Sequence, residues 1–256
     1  MDRLLADRVA LVTGAASGIG AATARLLTAH GAVAYGGDLS VADDRGADPA
    51  TLPATLIRLD VREEPDWERA ISTVLEREGR LDVLVHAAGI AAASPIADTT
   101  LAEWRRVLAT NLDGSFLAIK HGVRAMQEAG GAIVVIGSAS GIRPSAGAAA
   151  YSTSKAAVGM LVRAAAKECR EGDIPVRINA VSPGGVKTPL WNAMPFFEKL
   201  VEEHGSEEAA FAAMEAHSGD RFASPGQIAE AVLFLVSEAA CHITGVELAI
   251  DDGYTL

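Results

Sequence analysis

Short apolar runs rich in β-branched residues alternate along this chain with longer stretches of helical periodicity. Six runs have the character of strands: RVALVTG, AVAYGGD, TLIRLDV, LDVLVHAAG, GAIVVIGS and PVRINAVSPG. The helical stretches begin near Gly18, Pro65, Leu101, Ala149 and Pro225. Nearly continuous apolar strands separated by helices are typical of a parallel sheet that is covered on both faces. The pattern therefore predicts an α/β fold with a doubly wound parallel sheet.

The chain has no internal repeat, low-complexity tract or proline- and serine-rich linker. We therefore expect residues 1–256 to form a single domain. One region breaks the alternation, because the sequence from Leu190 to Ala223 contains two helical pieces and no strand between them. An insertion after a late strand lies at the carboxyl edge of the sheet, where ligands bind. Residues from about 188 to 223 are thus predicted to form a lid over a substrate site.

Composition and charge exclude several classes of partner. Half of the residues are hydrophobic, yet apolar runs such as AVLFLV are too short to span a bilayer, so a membrane partner is not expected. The 22 basic and 33 acidic residues give a net charge of -11, which repels nucleic acid and anionic membranes. The N-terminal sequence MDRLLADRVALVTG does not resemble a signal peptide. We expect a cytoplasmic protein.

The two cysteines, Cys169 and Cys241, occur in apolar surroundings, without CxxC or Cys/His spacing. That pattern favours reduced thiols in the core, and we predict no metal site.

A glycine-rich turn follows the first predicted strand and opens the first helix. The segment LVTGAASGIG carries Gly14, Gly18 and Gly20, with Ser17 and Ile19 between them. Glycine permits a positive φ and a close approach of the backbone, so amide N–H groups and a helix N-terminus can contact a pyrophosphate. The segment predicts a dinucleotide site; the alternative is a glycine-rich turn with a purely structural role.

Asp38 ends the second predicted strand, about twenty residues downstream, where a carboxylate can accept both hydroxyls of an adenosine ribose. A 2′-phosphate would meet Asp38 as a like charge, so the pattern favours NAD over NADP. Alternatively, Asp38 caps a turn before SVADDRGAD, and Arg45 could fold back toward the ribose. Asp60 ends the third strand, where it could face the adenine edge or could simply be a carboxylate in a surface turn.

Tyr151 and Lys155 lie one helical turn apart in GAAAYSTSKAAVGML. An ammonium stabilises a nearby phenolate, so we expect Lys155 to lower the pKa of Tyr151 and to make it a better general acid or base. Alternatively, the pair decorates a solvated helix face. Ser138 ends the fifth strand, from which a loop can bring it to Tyr151, and Asn111 is a polar amide among apolar helix neighbours.

Over essentially its whole length the sequence resembles the short-chain dehydrogenase/reductase family, which has a Rossmann fold. The matching motifs are TGAASGIG from Thr13, AAG from Ala87, Asn111, Ser138, YSTSK from Tyr151, PGGVKTP from Pro183 and the C-terminal SPGQIAEAVLFLVSE…ITGVELAIDDGY. The resemblance implies a catalytic tetrad of Asn111, Ser138, Tyr151 and Lys155. It also implies self-association, usually as a homotetramer formed through the long helices at about 101–128 and 149–170 and the C-terminal strand.

The same resemblance implies roles in binding NAD. Lys155 would bind the nicotinamide ribose, Thr188 the carboxamide, and Asn111 a water that links Lys155 to solvent. The full set of cofactor contacts expected in this way is Gly14, Ser17, Gly18, Ile19, Gly20, Asp38, Asp60, Val61, Ala88, Gly89, Tyr151, Lys155, Pro183, Gly184, Val186 and Thr188.

Two positions depart from the family pattern. Where many members have two asparagines, this chain has His86 and Ala87, and we interpret His86 as a structural substitution. The C-terminal DDGY has Asp252 where glycine is usual, and aspartate is among the better-tolerated residues at positive φ. Neither change touches the tetrad.

The expected pocket is lined by small residues, the alanines at 91–93 and 146–150, beneath a lid with large apolar side chains. Those side chains are Trp191, Met194, Phe196, Phe197, Phe211 and Met214. A roomy apolar pocket predicts a bulky cyclic, terpenoid or steroid-like secondary alcohol or ketone. The alternative is that the aromatic residues pack the lid itself. Only Lys187, Lys199 and Arg221 are counted as cations there, too few for a coenzyme A or carrier-protein thioester.

Two other functions remain open from the sequence. One is a reductase or dehydrogenase of a polar substrate, namely a sugar, a polyol or a 3-oxoacyl thioester, on the same fold. The other is a non-catalytic NAD-binding sensor, against which a complete tetrad argues.

Overall fold

A computed structural model of the protein describes residues 3–41, 55–219 and 221–256. At its centre lies a sheet of seven parallel strands in the order β3-β2-β1-β4-β5-β6-β7. The strands are β1 (Val9–Thr13), β2 (Val33–Asp38), β3 (Thr55–Arg58), β4 (Val83–His86), β5 (Gly131–Ile136), β6 (Val176–Pro183) and β7 (Glu247–Ile250). The prediction of a doubly wound parallel sheet is confirmed.

Eight α-helices are found in the described part of the chain. They are α1 (Gly18–Ala29), α2 (Glu64–Glu78), α3 (Leu101–Leu108), α4 (Gly114–Met126), α5 (Ala149–Glu171), α6 (Pro195–His204), α7 (Glu207–Ser218) and α8 (Pro225–Val236). The predicted helix starts agree with α1, α2, α3, α5 and α8 to within one residue. A π-helical turn, Ala109–Asp113, joins α3 to α4 and makes one bent helical element of them.

The sheet has a hydrophobic core on each face because side chains alternate along a strand. Leu11 and Leu84 point into one core, against α2, α4 and α5. Val12 and Val85 point into the other, against α1 and α8. Both faces of the central strands are therefore dry, and this explains why these strands are nearly continuously apolar.

The order of the strands reverses at the centre of the sheet. From β1 the chain builds outward through β2 to β3, and then returns through α2 to β4 on the other side of β1. Thr13 at the end of β1 is in register with Gly37 of β2 and with His86 of β4. Helices diverge at such a switch point, so a crevice opens at the carboxyl ends of β1 and β4. The predicted functional residues lie around this crevice.

The region predicted to be a lid consists of a short 3-10 helix (Pro189–Ala193), α6 and α7, with no strand between them. Within the described ranges, no helix is long and apolar enough to cross a membrane.

The two cysteines differ in their environment. Cys169 is buried on α5, as predicted, whereas Cys241 is exposed. The prediction of a core position was wrong for Cys241 because this residue follows the 3-10 turn Glu238–Ala240 in a surface connection.

Candidate active site

The glycine-rich turn has the geometry of a cradle for an anion. Gly14 and Gly18 have φ angles of 66° and 53°, in the left-handed region that favours glycine. A Cβ atom on Gly20 would lie 2.2 Å from the carbonyl oxygen of Gly14, so no side chain fits there. Ser17 is extended and exposed, and the first turn of α1 begins after it. Ile19 is half-buried and packs against the core beneath α1.

This turn fits the pyrophosphate of a dinucleotide. The first N–H groups of an α-helix lack intrahelical partners, and the helix dipole favours negative charge at that end. No side chain from Ser17 caps α1, which leaves those donors available.

Asp38 lies at the end of β2 beside the same turn. One carboxylate oxygen accepts the Ala16 N–H at 3.0 Å, and the other accepts the N–H and the hydroxyl of Ser40 at 2.9 and 2.8 Å. Asp38 therefore does cap the following turn, as the alternative interpretation held, and it also holds the glycine-rich turn against β2. A carboxylate accepts about four hydrogen bonds, so the contacts of the described residues leave one acceptor site for a ribose hydroxyl. Arg45, the possible competitor, lies outside the described residues.

Asp60 is paired with an arginine. Its two oxygens accept from Nε and Nη2 of Arg62 at 2.9 and 2.6 Å, and these hydrogen bonds hold the pKa of the carboxyl below its usual value. The neighbouring Val61 is buried, and its carbonyl accepts the indole N–H of Trp67 at 3.0 Å. The structure thus gives Asp60 a structural partner, and its contact with adenine stays a prediction.

The ends of β1 and β4 are joined by side chains. Thr13 Oγ1 accepts the N–H groups of Ala87 and Ala88, at 3.2 Å each, and lies 2.9 Å from Nδ1 of His86. Because both N–H groups donate to this oxygen, its own proton goes to His86 Nδ1. His86 is thereby fixed as the neutral tautomer that carries its proton on Nε2. Burial and the charge of Lys155 lower the pKa of His86 to about 3.

Gly89 provides an opening between two polar groups. A Cβ atom at this position would lie 3.4 Å from Oδ1 of Asn111 and 3.6 Å from Nζ of Lys155. The amide oxygen and the ammonium therefore border one small space beside the backbone of Gly89. Gly14 packs on Ala88, the residue before Gly89, since a Cβ on Gly14 would lie 2.9 Å from Cα of Ala88. The glycine-rich turn and the AAG turn are in direct contact.

Asn111 lies in the π-helical turn and is almost completely buried. Its amide group donates to the Ile90 carbonyl at 2.9 Å and to Ser154 Oγ at 3.0 Å, and its oxygen accepts the Ile90 N–H at 2.9 Å. A π-helical turn widens the helix locally and is frequent at functional sites. Here it directs the amide between the AAG turn and α5. The sequence predicted a helix at Asn111 but not the π-helical turn.

Tyr151 and Lys155 lie on one face of α5, as predicted; Lys155 is buried in the crevice, and Tyr151 is half-buried. Lys155 Nζ lies 5.8 Å from the centre of the Tyr151 ring and donates to the carbonyl of Ile136 at 2.7 Å. Ser138 faces the phenol of Tyr151 and lowers its pKa, and the Ser138 hydroxyl accepts the Ser140 N–H at 3.1 Å. Three members of the predicted tetrad are thus adjacent, and Asn111 faces Lys155 across the space beside Gly89.

The expected effect of Lys155 on Tyr151 is not found. Burial raises the pKa of Tyr151 above its usual value, and the hydrogen bond with Ser138 only partly opposes that rise. Burial also lowers the pKa of Lys155 to about 8. The prediction failed because the ammonium donates to the Ile136 carbonyl instead of to the phenol, and because both groups lose the solvation that stabilises their charged forms.

The PGGVKTP segment follows β6 and faces the glycine-rich turn. A Cβ on Gly18 would lie 3.3 Å from the methyl group of Thr188, so the two segments meet across the crevice. Pro183 is in register with Ile250 of β7, and Gly184 donates its N–H to the same residue at 3.0 Å. The Val186 carbonyl accepts from the indole of Trp191 at 2.8 Å. Val186 and Thr188 therefore join the crevice to the lid.

The aromatic residues of the lid pack mainly on each other. Trp191 stacks on Phe222 with ring centres 5.5 Å apart, and Phe197 lies 4.8 Å from Phe211. Met194, Leu200, Val201 and Met214 complete this cluster. The alternative interpretation of these side chains is therefore the correct one for Trp191, Phe197 and Phe211. Of the predicted lid residues, Phe196 remains exposed.

Sequence reasoning missed two residues of the site. Ser154 accepts from Asn111 and donates to the Tyr151 carbonyl at 2.7 Å, so it links the π-helical turn to the start of α5. Its position in YSTSK, three residues after Tyr151, was the available signal. Arg143 lies on the loop between Ser138 and Tyr151 and donates to the Tyr254 carbonyl, a contact between distant segments that no local motif indicates. Among the described residues, no group of three or more histidine, cysteine or acidic side chains is placed to hold a metal ion.

Known proteins resemble this chain over its full length. A short-chain alcohol dehydrogenase family model with the description enoyl-(acyl carrier protein) reductase matches residues 14–255. The cis-4-hydroxycyclohexanecarboxylate dehydrogenase of Sinomonas cyclohexanicum is 42% identical over 260 residues, covering 100% of this chain and 99% of the relative. The 3-beta-hydroxysteroid dehydrogenase of Comamonas testosteroni is 35% identical, with coverages of 98% and 97%.

A cyclopentanol dehydrogenase of a Comamonas species is also 35% identical, over 97% of each chain. Among solved structures, the ligand-free aldohexose dehydrogenase of Thermoplasma acidophilum superimposes with a TM-score of 0.84 at 31% identity, covering 99% of this chain and 96% of that one. The family match, the relatives and the fold agree with the arrangement of Ser138, Tyr151 and Lys155 in the crevice. This chain belongs to the short-chain dehydrogenase/reductase family, and it is a secondary alcohol dehydrogenase-like member of it.

Proposed function

We propose that this protein oxidises a secondary alcohol on an aliphatic ring with NAD, and reduces the corresponding ketone in reverse. The observation that carries the proposal is the meeting of Ser138, Tyr151 and Lys155 at the crevice, with Asn111 facing Lys155 beside Gly89. A phenol, a hydroxyl and an ammonium in that arrangement suit proton transfer at a carbinol oxygen. Relatives that act on cyclic alcohols support the substrate class.

The residues of the crevice fit a nicotinamide dinucleotide. When bound, that cofactor supplies the hydride acceptor or donor. The glycine-rich turn would hold its pyrophosphate, and the remaining acceptor site of Asp38 would take a ribose hydroxyl, which favours NAD over NADP. Lys155 is a buried ammonium whose two other N–H groups have no partner among the described residues. Such a group needs acceptors, and ribose hydroxyls would provide them.

In the oxidation direction, Tyr151 takes the proton of the alcohol as general base, and in the reduction direction it returns the proton to the carbonyl oxygen. Ser138 donates a hydrogen bond to the same substrate oxygen and stabilises the charge that develops there. Lys155, held by the Ile136 carbonyl, would bind the nicotinamide ribose and so place the cofactor beside Tyr151. Water in the space beside Gly89, between Lys155 and Oδ1 of Asn111, would carry the proton onward.

The raised pKa of Tyr151 predicts how the rates of oxidation and reduction depend on pH. Burial disfavours the phenolate and raises the pKa of Tyr151, so the phenolate that acts as the base forms mainly at alkaline pH. Oxidation is therefore expected to become faster as the pH rises, whereas reduction needs the protonated phenol and is favoured at neutral pH.

Small side chains lie beside the crevice. Ala91 and Ala92 are buried after β4, and Gly147, Ala149 and Ala150 lead into Tyr151 across from them. The lid carries its own aromatic core, so its exposed side chains Leu190 and Phe196 are the ones available for an apolar substrate. We propose a bulky hydrophobic cyclic alcohol, of which terpenoid and steroid-like alcohols are examples.

A polar substrate is the second candidate, because the superimposed structure is an aldohexose dehydrogenase and the family model is described as a reductase of carrier-bound substrates. Purified protein would be offered NAD or NADP with cyclopentanol, 4-hydroxycyclohexanecarboxylate, a hydroxysteroid or glucose, and NADH or NADPH with a 3-oxoacyl thioester. Turnover of the cyclic alcohols with NAD supports the proposal. Turnover of only glucose or the thioester would overturn it, and NAD binding without any turnover would indicate the non-catalytic sensor.

We further propose a cytoplasmic homotetramer. Phe116 on α4 and Met160 on α5 are at least half exposed, and they lie on the two helices through which the family resemblance predicts association. Contacts between subunits through these helices would cover both apolar side chains. Light scattering would measure the mass, and Phe116→Glu together with Met160→Glu should reduce it. A monomeric wild-type protein would contradict this proposal.

A further inference from the structure

The last six residues, which we call the tail (Asp251–Leu256), contact two separate segments. On one side, the carboxylate of Asp252 accepts from Nε and Nη2 of Arg221 at 2.9 and 2.7 Å. Arg221 comes shortly after α7, where the lid returns to the body. This bidentate pair joins the tail to the end of the lid.

On its other side the tail contacts the loop 139–148, which separates Ser138 from Tyr151. The Tyr254 carbonyl accepts from Nη1 of Arg143 at 2.6 Å, and the guanidinium lies 4.9 Å from the centre of the Tyr254 ring. The Tyr254 hydroxyl is 3.3 Å from Oγ of Ser145. One tyrosine thus makes a hydrogen bond, a cation–π contact and a hydroxyl contact with this loop.

The tail is itself well anchored. Asp251 accepts the N–H groups of Gly253 and Thr255 and the Thr255 hydroxyl, at 3.1, 3.0 and 2.6 Å. A Cβ on Gly184 would lie 3.0 Å from Cα of Asp251, so the tail packs directly on the end of β6. A segment fixed in this way can transmit a constraint from one neighbour to the other.

Asp252 is unusual because its backbone would favour a different residue. Its φ angle is 53°, in the left-handed region where glycine has no steric cost and aspartate has some. Aspartate at this position has a steric cost that glycine would not have. In exchange, its carboxylate forms the ion pair with Arg221.

We propose that Asp252 and Tyr254 are positioning residues that tie the lid to the loop 139–148 across the mouth of the substrate site. When this tie is intact, the lid and the loop keep their relative position, which lowers the KM for the alcohol. The statement about KM rests on the proposed function, whereas the tie itself does not.

Asp252→Gly is the decisive variant because it removes the carboxylate and suits the backbone. Hydrogen exchange of the cofactor-free protein needs no turnover, so it tests the tie alone. We expect amides in α6, α7 and the loop 139–148 to exchange about two- to fivefold faster, the range that an exposed ion pair can supply, with no fall in Tm. Arg221→Leu should have the same effect, and the double variant should add nothing further.

Lys167→Met is the matched control, because it removes another solvent-exposed ion pair, with Glu171, near the end of α5. It should leave exchange in the lid and the loop unchanged. If exchange in Asp252→Gly rises only at residues 221–223 and in the tail, or not at all, the tie does not exist and the proposal is wrong.

The kinetic arm uses the same variants. With a cyclic alcohol that the wild type turns over, Asp252→Gly should raise the KM for the alcohol about two- to fivefold and leave kcat and the KM for NAD within twofold. An unchanged KM for the alcohol overturns the functional part of the proposal. If no cyclic alcohol is turned over by the wild type, the proposed function fails, and hydrogen exchange still decides whether the tie exists.

Discussion

Thr13 and His86 meet at 2.9 Å between the ends of β1 and β4, and the hydrogen bonds around Thr13 leave His86 only an acceptor role at Nδ1. His86 Nε2 is buried and has no partner among the described residues. A residue of this kind holds the AAG turn in place while it is neutral and resists protonation. It is consistent with the interpretation of His86 as a structural substitution and not as a catalytic group.

His86 therefore makes the fold sensitive to acid. Its folded pKa of about 3 is below the unfolded value of 6.5, so the unfolded state binds a proton first and stability falls as the pH drops below 6.5. We predict that His86→Asn loses about 2 kcal/mol less stability than the wild type between pH 7 and pH 4.5. Urea unfolding at both pH values measures the difference. Parallel losses in the two proteins would show that His86 does not cause the sensitivity.

We expect the buried ammonium of Lys155 to destabilise the folded protein. Its folded pKa of about 8 is below its usual value of 10.5, so the buried ammonium is destabilising below pH 8, and the penalty fades as the pH rises toward 10.5. Lys155→Met is expected to raise the free energy of unfolding by about 2 kcal/mol at pH 7 and by much less at pH 10, and to abolish turnover. Unfolding curves at the two pH values test this. A less stable variant at pH 7 would mean that the hydrogen bond to Ile136 outweighs the burial of charge.

Asp38 should decide the choice of cofactor. Asp38→Ser removes the charge that repels a 2′-phosphate and the acceptor for the ribose, so the ratio of kcat/KM for NAD to that for NADP should fall by about 100-fold. Ser40→Ala is the matched control, since it removes a hydrogen bond to the same carboxylate and keeps the charge. An unchanged ratio in Asp38→Ser would mean that Asp38 only stabilises the turn and does not select the cofactor.

The sequence predicted the fold well because the central strands are buried on both faces. The runs that end at Thr13, Asp38 and His86 are apolar because each strand is itself buried, so the pattern is visible in the strand's own residues. The starts of the neighbouring helices are also visible in the sequence. The pair Tyr151 and Lys155 was likewise readable, since a helix fixes the spacing of its own side chains.

Contacts between distant segments could not be predicted in the same way. Nothing near Lys155 in the sequence indicates that its ammonium binds the carbonyl of Ile136, so its effect on the pKa of Tyr151 was misjudged. The packing of Trp191 on Phe222 and the pairing of Asp252 with Arg221 also depend on how the chain returns to the sheet edge. Local sequence patterns carry no information about contacts between segments that are far apart in the sequence.

The most direct test of the central claim compares the wild type with Tyr151→Phe in the oxidation of a cyclic alcohol by NAD, followed by the absorbance of the reduced nicotinamide. The phenylalanine keeps the ring and removes only the hydroxyl. We predict that the wild type turns over, that the variant loses at least about 1,000-fold in kcat because it has no proton acceptor, and that both proteins bind NAD with similar affinity. Comparable kcat values in the two proteins would contradict the assignment of Tyr151 as the group that transfers the proton.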